Sequence, residues 1–147
     1  MLKNSPRYLT AVAWAEAGIP VFPCVVNGKT PATPHGFKDR TTLRDRIDLY
    51  WSNEDFNLAI VPEDLGCFVV DIDNKHNGLE LWQNLIHDKF APPTRTIVTP
   101  SGGLHLYFRG SLPPSAGRCG KGIDIRGRGS YVLIPPSIVS GREYRPL

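Results

Sequence analysis

The sequence has few cysteines and no long apolar run, and both absences narrow the classes of protein it can belong to. Its three cysteines are far apart, and none forms a Cys-x-x-Cys pair. We therefore expect neither a disulfide framework nor a zinc knuckle. No apolar segment approaches the roughly 20 residues that span a bilayer, and the first residues lack the apolar stretch of a signal peptide. These absences predict a soluble, cytoplasmic protein with no membrane partner.

An excess of charge of one sign is also absent, because the formal net charge of the 147 residues is only +3. The charges are nevertheless unevenly distributed. Residues 41–108 contain five Lys or Arg and ten Asp or Glu, whereas residues 109–147 contain seven and two. The acidic segment could hold cations and the basic segment a polyanion, although solvated protein surfaces show the same pattern. Since no repeat or linker interrupts the chain, we interpret residues 1–147 as one domain.

The hydrophobic pattern predicts strands with a few helices between them. Ser5-Pro6 is typical of a helix start and Gly18 of its end, and Thr42-x-x-Asp45 resembles a capping box that opens a second helix ending near Trp51. The remaining predicted elements are strands at 19–26, 58–61, 67–70, 95–99, 104–108, 123–126 and 131–134, a loop at 27–40 and a third helix from Asn77-Gly78 to Ile86. This order is typical of an α+β fold, in which helices pack against a sheet.

Two familiar motifs are present only in part. Gly28-Lys29-Thr30 resembles the end of a phosphate-binding P-loop, but Pro23 stands where that motif requires a glycine. Asp71-x-Asp73 resembles the start of a calcium-binding EF-hand loop, but Lys75 replaces a ligand and His76 replaces the required glycine. The sequence therefore predicts neither a P-loop nor an EF-hand.

Two acidic residues interrupt the strand Val69-Val70-Asp71-Ile72-Asp73. Because side chains alternate along a strand, Asp71 and Asp73 share one face, opposite Val70 and Ile72. Ionised carboxylates this close repel each other unless a cation neutralises them, and Mg²⁺ and Mn²⁺ prefer such oxygen ligands. The pattern favours a metal site, although a strand end that meets solvent produces the same pattern.

Two later strands repeat this arrangement. In the segment 101–108 the apolar residues 104, 106 and 108 share one face, and His105 lies on the other. A glycine turn, typical of close approach to phosphate, precedes them. In the segment 123–126 the two isoleucines lie opposite Asp124 and Arg126. A structural histidine and an Asp–Arg ion pair would explain each strand separately, but three such strands together favour a site for metal and phosphate.

Six segments of the chain follow one another in a recognisable order. They are Gly-Ile-Pro-Val-Phe-Pro (18–23), Gly-Lys-Thr-Pro (28–31), His-Gly-Phe-Lys-Asp (35–39), Val-Val-Asp-Ile-Asp (69–73), Thr-Pro-Ser-Gly-Gly-x-His-x-Tyr-Phe (99–108) and Gly-Ile-Asp-Ile-Arg-Gly (122–127). In this order they resemble the bifunctional DNA primase/polymerase domain of the archaeo-eukaryotic primase superfamily, which occurs in phages, plasmids and mobile elements. The resemblance extends from about Tyr8 to Tyr144.

The resemblance implies an RRM-like antiparallel or mixed sheet flanked by helices, and a nucleotidyltransferase that uses Mg²⁺ or Mn²⁺. It implies metal ligands at Asp71, Asp73 and Asp124, with His105 as a further catalytic residue that contacts the phosphates of the incoming nucleotide. The remaining residues that it assigns to the nucleotide pocket are Lys29, Ser101, Gly102, Gly103 and Arg126. The implied partners are nucleoside triphosphates, a single-stranded DNA template with its primer, and a fused or separate helicase. Because family members usually continue into a helical or helicase region, we expect either a minimal domain or part of a longer replication protein.

Two other functions are compatible with the same residues. A module that only binds single-stranded nucleic acid would place aromatic side chains on its sheet face. Here that face carries carboxylates, which repel phosphate unless a metal lies between them. A metal-dependent nuclease could share the same cluster of acids.

Overall fold

The computed structural model describes residues 2–89 and 91–147 and has an α+β fold, which confirms the predicted fold class. The helices in the described part are α1 (Pro6–Glu16), α2 (Arg44–Tyr50) and α3 (Gly78–Ile86). The first six described strands are β1 (Phe22–Cys24), β2 (Asn57–Ile60), β3 (Cys67–Ile72), β4 (Thr96–Val98), β5 (Leu104–Arg109) and β6 (Ser115–Ala116). They are followed by β7 (Ile123–Arg126), β8 (Val132–Leu133), β9 (Ile138–Val139), β10 (Arg142–Glu143) and β11 (Arg145–Pro146).

Six of these strands form the main sheet, in the order β11-β4-β5-β3-β7-β6. Every neighbouring pair in this sheet is antiparallel. A second, three-stranded sheet has the order β1-β2-β8, and β9 pairs with β10 alone. In the main sheet β3 lies between β5 and β7, so the three strands with polar residues on one face are direct neighbours.

The two faces of the main sheet pack against different layers. On one face Val69, Ile97 and Tyr107 join the larger hydrophobic core, which also contains residues of the second sheet, α1 and α2. On the other face Val70 and Ile72 belong to a smaller core that is covered by apolar side chains of α3. Asp71 therefore lies on the face opposite Val70 and Ile72, as the alternation of side chains predicts.

Of the two helix starts predicted from capping residues, one is confirmed and one is wrong. The Ser5 side chain accepts hydrogen bonds from two N–H groups of the first turn of α1, which confirms the predicted N-cap. The predicted Thr42-x-x-Asp45 capping box is wrong, because the N-cap of α2 is Leu43 and no side chain caps this helix. The hydroxyl of Thr41 instead accepts the N–H of Leu43, at 3.0 Å. This bond differs from the one that the motif assigns to Thr42, whose hydroxyl would accept the N–H of Asp45.

The strand predictions differ from the structure mainly in length. The strand predicted at 19–26 is reduced to β1, and the predicted loop 27–40 contains a 3-10 turn at Gly36–Asp39. The two-residue strands β6, β9, β10 and β11 were not predicted. Segments this short have no periodicity of their own and are recognised only by their pairing with another strand.

The described residues show the length of the helices and the state of the three cysteines. None of their helices is long and apolar enough to cross a membrane. All three cysteines are free thiols: Cys24 is buried, Cys67 is half-buried and Cys119 is exposed. Burial raises the pKa of the Cys24 thiol to about 12.

The buried side-chain amide of Asn57 joins a loop and the strand β9 to the second sheet. The side chain of Asn57, which is 1% exposed, donates to the carbonyl oxygens of Gly28 (2.9 Å) and Ile138 (2.7 Å). Its own oxygen accepts the N–H of Ile138, at 2.9 Å. Asn57 therefore holds the loop that carries Lys29 and the strand β9 in fixed positions relative to β2.

We expect Asn57→Ala to lower the free energy of unfolding by about 1–3 kcal/mol, because it removes a buried side chain and leaves three partly buried backbone groups without this partner. Chemical denaturation of the variant and the wild type measures the difference. Asn53→Ala is the matched control, since Asn53 is exposed, and its effect should stay within about 0.5 kcal/mol. Equal losses in the two variants would contradict this role of Asn57.

Candidate active site

The centre of the candidate site is a row of three polar residues on neighbouring strands. Asp71 of β3 lies directly opposite His105 of β5 on one side and Asp124 of β7 on the other. Residues that lie opposite each other in an antiparallel pair share a face, with their Cβ atoms about 5 Å apart. The fold therefore brings together three side chains that are distant in the sequence.

Asp71 has polar contacts with both His105 and Arg126. His105 Nε2 lies 3.5 Å from its Oδ1, and the Nε and Nη2 atoms of Arg126 each donate to its Oδ2 at 3.2 Å. Burial raises the pKa of Asp71, but its hydrogen bonds and electrostatic attraction to His105 and Arg126 outweigh burial and hold it below its ordinary value. Asp71 is therefore a carboxylate at neutral pH.

This lowered pKa predicts a pH dependence of stability. The ordinary pKa of an aspartate, here 3.8, applies in the unfolded protein, and the pKa of Asp71 is lower in the folded protein. Ionised Asp71 therefore stabilises the fold at pH values above 3.8, and this contribution is lost as the pH falls through the pKa of the folded state. We expect the difference in unfolding free energy between wild type and Asp71→Asn to be constant at neutral pH and to shrink below about pH 4. Denaturant titrations at several pH values test this expectation, and a difference that grows in acid would contradict it.

His105 is almost completely enclosed. Its exposed fraction is 5%, and its ring packs against the ring of Tyr144, with 5.7 Å between centroids. Its Nδ1 atom is buried and has no hydrogen-bond partner among the described residues. A buried nitrogen without a partner is costly, and it is the kind of group that a functional site retains.

Asp73 and Asp124 lie at the edge of the row and are more accessible. Asp73 follows β3 and caps a 3-10 turn, where its carboxylate accepts the N–H of Lys75 at 2.7 Å. Asp124 Oδ1 accepts the N–H of Gly117 at 2.9 Å, and its Oδ2 lies 3.6 Å from Arg126 Nη2. Both carboxylates are thus oriented by the backbone while remaining partly exposed.

A cavity of about 550 Å³ unites most of the predicted site. Seven of the nine predicted residues line it: Lys29, Asp71, Asp73, Ser101, His105, Asp124 and Arg126. Gly102 and Gly103 are not among its lining residues. The N–H of Gly102 donates to the carbonyl of Thr99 at 2.9 Å, and a Cβ added at Gly103 would clash with the carbonyl oxygen of Ile72. These glycines therefore shape the turn next to β3 rather than the wall of the cavity.

Sequence reasoning did not identify five further polar residues that line the same cavity. They are Lys75, Thr99, Ser140, Arg142 and Tyr144. Tyr144 is buried, and this burial, together with the charge of Asp71, raises the pKa of its phenol. The sequence signal for the part formed by residues 140–144 is the excess of basic residues in the segment 109–147, whereas Thr99 belongs to the recognised segment 99–108.

The charges in this cavity suit a polyanion that is bound together with a cation. Its described lining residues include three carboxylates and four cationic side chains: Lys29, Lys75, Arg126 and Arg142. The carboxylates lie at neighbouring positions along the ends of β3 and β7. A surface that combines acids with an excess of basic groups can hold a metal–phosphate complex, since phosphate alone would be repelled by the acids.

Comparison with known proteins identifies the family. The family model for the bifunctional DNA primase/polymerase, N-terminal domain, matches residues 11–147. The chain belongs to this family. The match confirms the resemblance carried by the six sequence segments, and it supports primase or polymerase activity in general terms, with nucleotides and DNA as substrates. None of the curated proteins compared with the chain matches it.

The donor atoms of this primase/polymerase domain fit the divalent ions on which the family generally depends. Three carboxylates line one cavity, and Mg²⁺ and Mn²⁺ favour carboxylate oxygens. Their present arrangement is not a ready-made ligand set. Within residues 2–89 and 91–147, no group of three or more His, Cys, Asp or Glu side chains is placed to hold an ion. Instead the Arg126 guanidinium contacts both Asp71 and Asp124.

Proposed function

We propose that the chain is a template-directed nucleotidyltransferase that makes or extends primers from nucleoside triphosphates. In this proposal Asp71, Asp73 and Asp124 hold one or two divalent ions, Mg²⁺ or Mn²⁺. The observation that carries the proposal is the row of His105, Asp71 and Asp124 across three strands, in a cavity that four cationic side chains also line. The family match supports this class of reaction.

The carboxylates have the properties that this role requires. The pKa of Asp71 is held below its ordinary value, first by His105 against the effect of burial, so its oxygens carry negative charge at neutral pH. The backbone orients Asp73 and Asp124 through the N–H groups of Lys75 and Gly117. Divalent ions bound here would lower the pKa of the primer 3′-hydroxyl and neutralise charge on the leaving pyrophosphate.

In this proposal the cationic residues and His105 bind the triphosphate. Preorganised donors in an enclosed site stabilise the charge that develops on phosphate oxygens. His105 is preorganised by its packing against Tyr144. The loop of Lys29 is also fixed, because the Tyr131 hydroxyl donates to the Lys29 carbonyl at 2.9 Å and Asn57 donates to the adjacent carbonyl of Gly28.

The family resemblance also supports a proposed biological setting for the domain. The domain would act in the replication of a phage, plasmid or mobile element, in the bacterial cytoplasm, with a fused or separate helicase. The basic segment 109–147 would bind the phosphates of a single-stranded template. Such binding weakens steeply as salt concentration rises.

Primer extension tests the proposal. The assay measures incorporation of labelled nucleotides on a primed single-stranded template with Mg²⁺ or Mn²⁺, separately with ribo- and deoxyribonucleotides. We expect synthesis by the wild type, none in the presence of a chelator, and strong loss in both Asp73→Asn and Asp124→Asn. Undiminished synthesis by both variants would refute the assignment of these acids.

The same assay distinguishes the two rival functions. Release of nucleotides from DNA, without incorporation from triphosphates, would identify a metal-dependent nuclease. Binding of single-stranded DNA that chelator leaves unchanged, without either reaction, would identify a binding module. Either result would replace the proposed function.

A further inference from the structure

The guanidinium of Arg126 occupies the space between two of the proposed metal ligands. Its Nε and Nη2 atoms both lie 3.2 Å from Asp71 Oδ2, and the same Nη2 lies 3.6 Å from Asp124 Oδ2. Among the described residues, these two carboxylates are the only hydrogen-bond or ion-pair partners of the Arg126 side chain. Arg126 therefore serves as the cation between Asp71 and Asp124.

This placement has an electrostatic reason. Asp71 and Asp124 lie directly opposite each other on neighbouring strands, and like charges in that relation destabilise a sheet. Arg126 stands opposite Val69, two residue pairs further along the same two strands and so on the same face, and from there its side chain reaches diagonally to both carboxylates. A positive group at this point relieves their repulsion.

A divalent ion at the same place needs the same oxygen atoms. An ion held jointly by Asp71 and Asp124 would compete with the guanidinium for the two Oδ2 atoms. Both Oδ2 atoms are in contact with Arg126 in this structure. The Arg126 side chain is 43% exposed, so it is free to leave without disturbing a packed core.

We propose that Arg126 is a placeholder cation: it neutralises Asp71 and Asp124 until a divalent ion displaces it, and it then turns to the phosphates of the nucleotide in the same cavity. This inference rests on the proposed function, because it assumes that these acids hold the ion. It follows that Arg126 weakens metal binding in the absence of nucleotide and couples it to nucleotide binding. Because such coupling is reciprocal, each ligand would raise the affinity for the other.

The test measures the affinity for Mn²⁺ alone, from the free-ion signal in electron paramagnetic resonance, without nucleotide or DNA. We expect Arg126→Gln to bind Mn²⁺ about tenfold more tightly than the wild type. Arg126→Lys retains the charge but cannot make both hydrogen bonds to Asp71 Oδ2, so its Mn²⁺ affinity should lie between those of the wild type and Arg126→Gln. Adding a nucleoside triphosphate should raise Mn²⁺ affinity by a larger factor in the wild type than in Arg126→Gln, once the Mn²⁺ bound by the triphosphate itself, measured without protein, has been subtracted.

Arg142→Gln is the matched control for charge. Arg142 lines the same cavity, but no ion pair joins it to Asp71 or Asp124 among the described residues. If removal of any positive charge were sufficient, this variant would gain as much Mn²⁺ affinity as Arg126→Gln. We expect a change of no more than about twofold, and an equal gain would overturn the placeholder role.

Asp71→Asn separates failure of this inference from failure of the proposed function. If Asp71→Asn loses Mn²⁺ affinity while Arg126→Gln binds like the wild type or more weakly, the acids hold metal and only the placeholder role is wrong. If Asp71→Asn binds Mn²⁺ as well as the wild type, or no variant binds it, the proposed metal site itself is wrong. Thermal unfolding of each variant shows whether a lost signal reflects a lost fold.

Discussion

Replacing Asp71 with asparagine is expected to reduce nucleotide incorporation on the order of 10³-fold or more. Asparagine has nearly the same shape but no charge, so it cannot serve as an anionic ligand. Asp71 is central because it lies opposite His105 on one strand and Asp124 on the other. We therefore expect its loss to be more damaging than the loss of either neighbouring acid. Single-turnover primer extension measures the effect.

Asp64→Asn is a closely matched control for this variant. Asp64 is paired with Arg40 as Asp71 is paired with Arg126, and its side chain is similarly buried, at 19% exposed compared with 22% for Asp71. It does not line the cavity. Asp64→Asn should retain the incorporation rate of the wild type at a temperature at which both are folded. A loss of similar size in both variants would show that a disturbed fold, not missing chemistry, explains the result.

Replacing His105 with phenylalanine is expected to lower incorporation about 10²- to 10³-fold with little loss of stability. Phenylalanine retains a ring that can pack against Tyr144 and removes both nitrogens. The lost contact with Asp71 is offset, because the wild type leaves Nδ1 buried without a partner. We expect the free energy of unfolding to change by less than about 1 kcal/mol. This combination is typical of a residue retained for function at a cost to the fold.

Kinetics and a surface control make the His105 prediction specific. If His105 only binds the nucleotide, a higher nucleotide concentration will restore the rate, whereas a role in the transition state leaves the maximal rate low. We expect the maximal rate to remain low. His87→Phe changes an exposed histidine at the end of α3 and should alter neither rate nor stability. A fully active His105→Phe variant would remove His105 from the catalytic residues.

How far the sequence could predict the site is clearest from Asp71 and Arg126. Alternation along one strand correctly predicts that Asp71 lies opposite Val70 and Ile72, because that relation depends only on local backbone geometry. The same reasoning places Arg126 on one face with Asp124. It does not predict that the Arg126 guanidinium reaches Asp71 on the next strand. That contact depends on the register between β3 and β7, which is set by burial of their apolar faces.

Other contacts in the site cannot be predicted from the neighbouring residues in the sequence. Tyr144 packs against His105, yet the two residues are 39 positions apart and no motif links them. Asn57 fixes the loop of Lys29 through hydrogen bonds to residues 28 and 138, and nothing next to it in the chain predicts those partners. Long-range contacts of this kind arise from the way the two sheets pack together.

By itself the sequence determined the family, the α+β class and the strands that carry the acids, His105 and the arginine. These properties depend on residue order and on local periodicity, and both can be read along the chain. Only the tertiary structure decided that Asp71 is flanked by His105 and Asp124, that Arg126 stands between two carboxylates, and that Tyr144 and Arg142 complete the wall. Those relations join different strands and loops, and strand pairing together with burial of apolar surface establishes them.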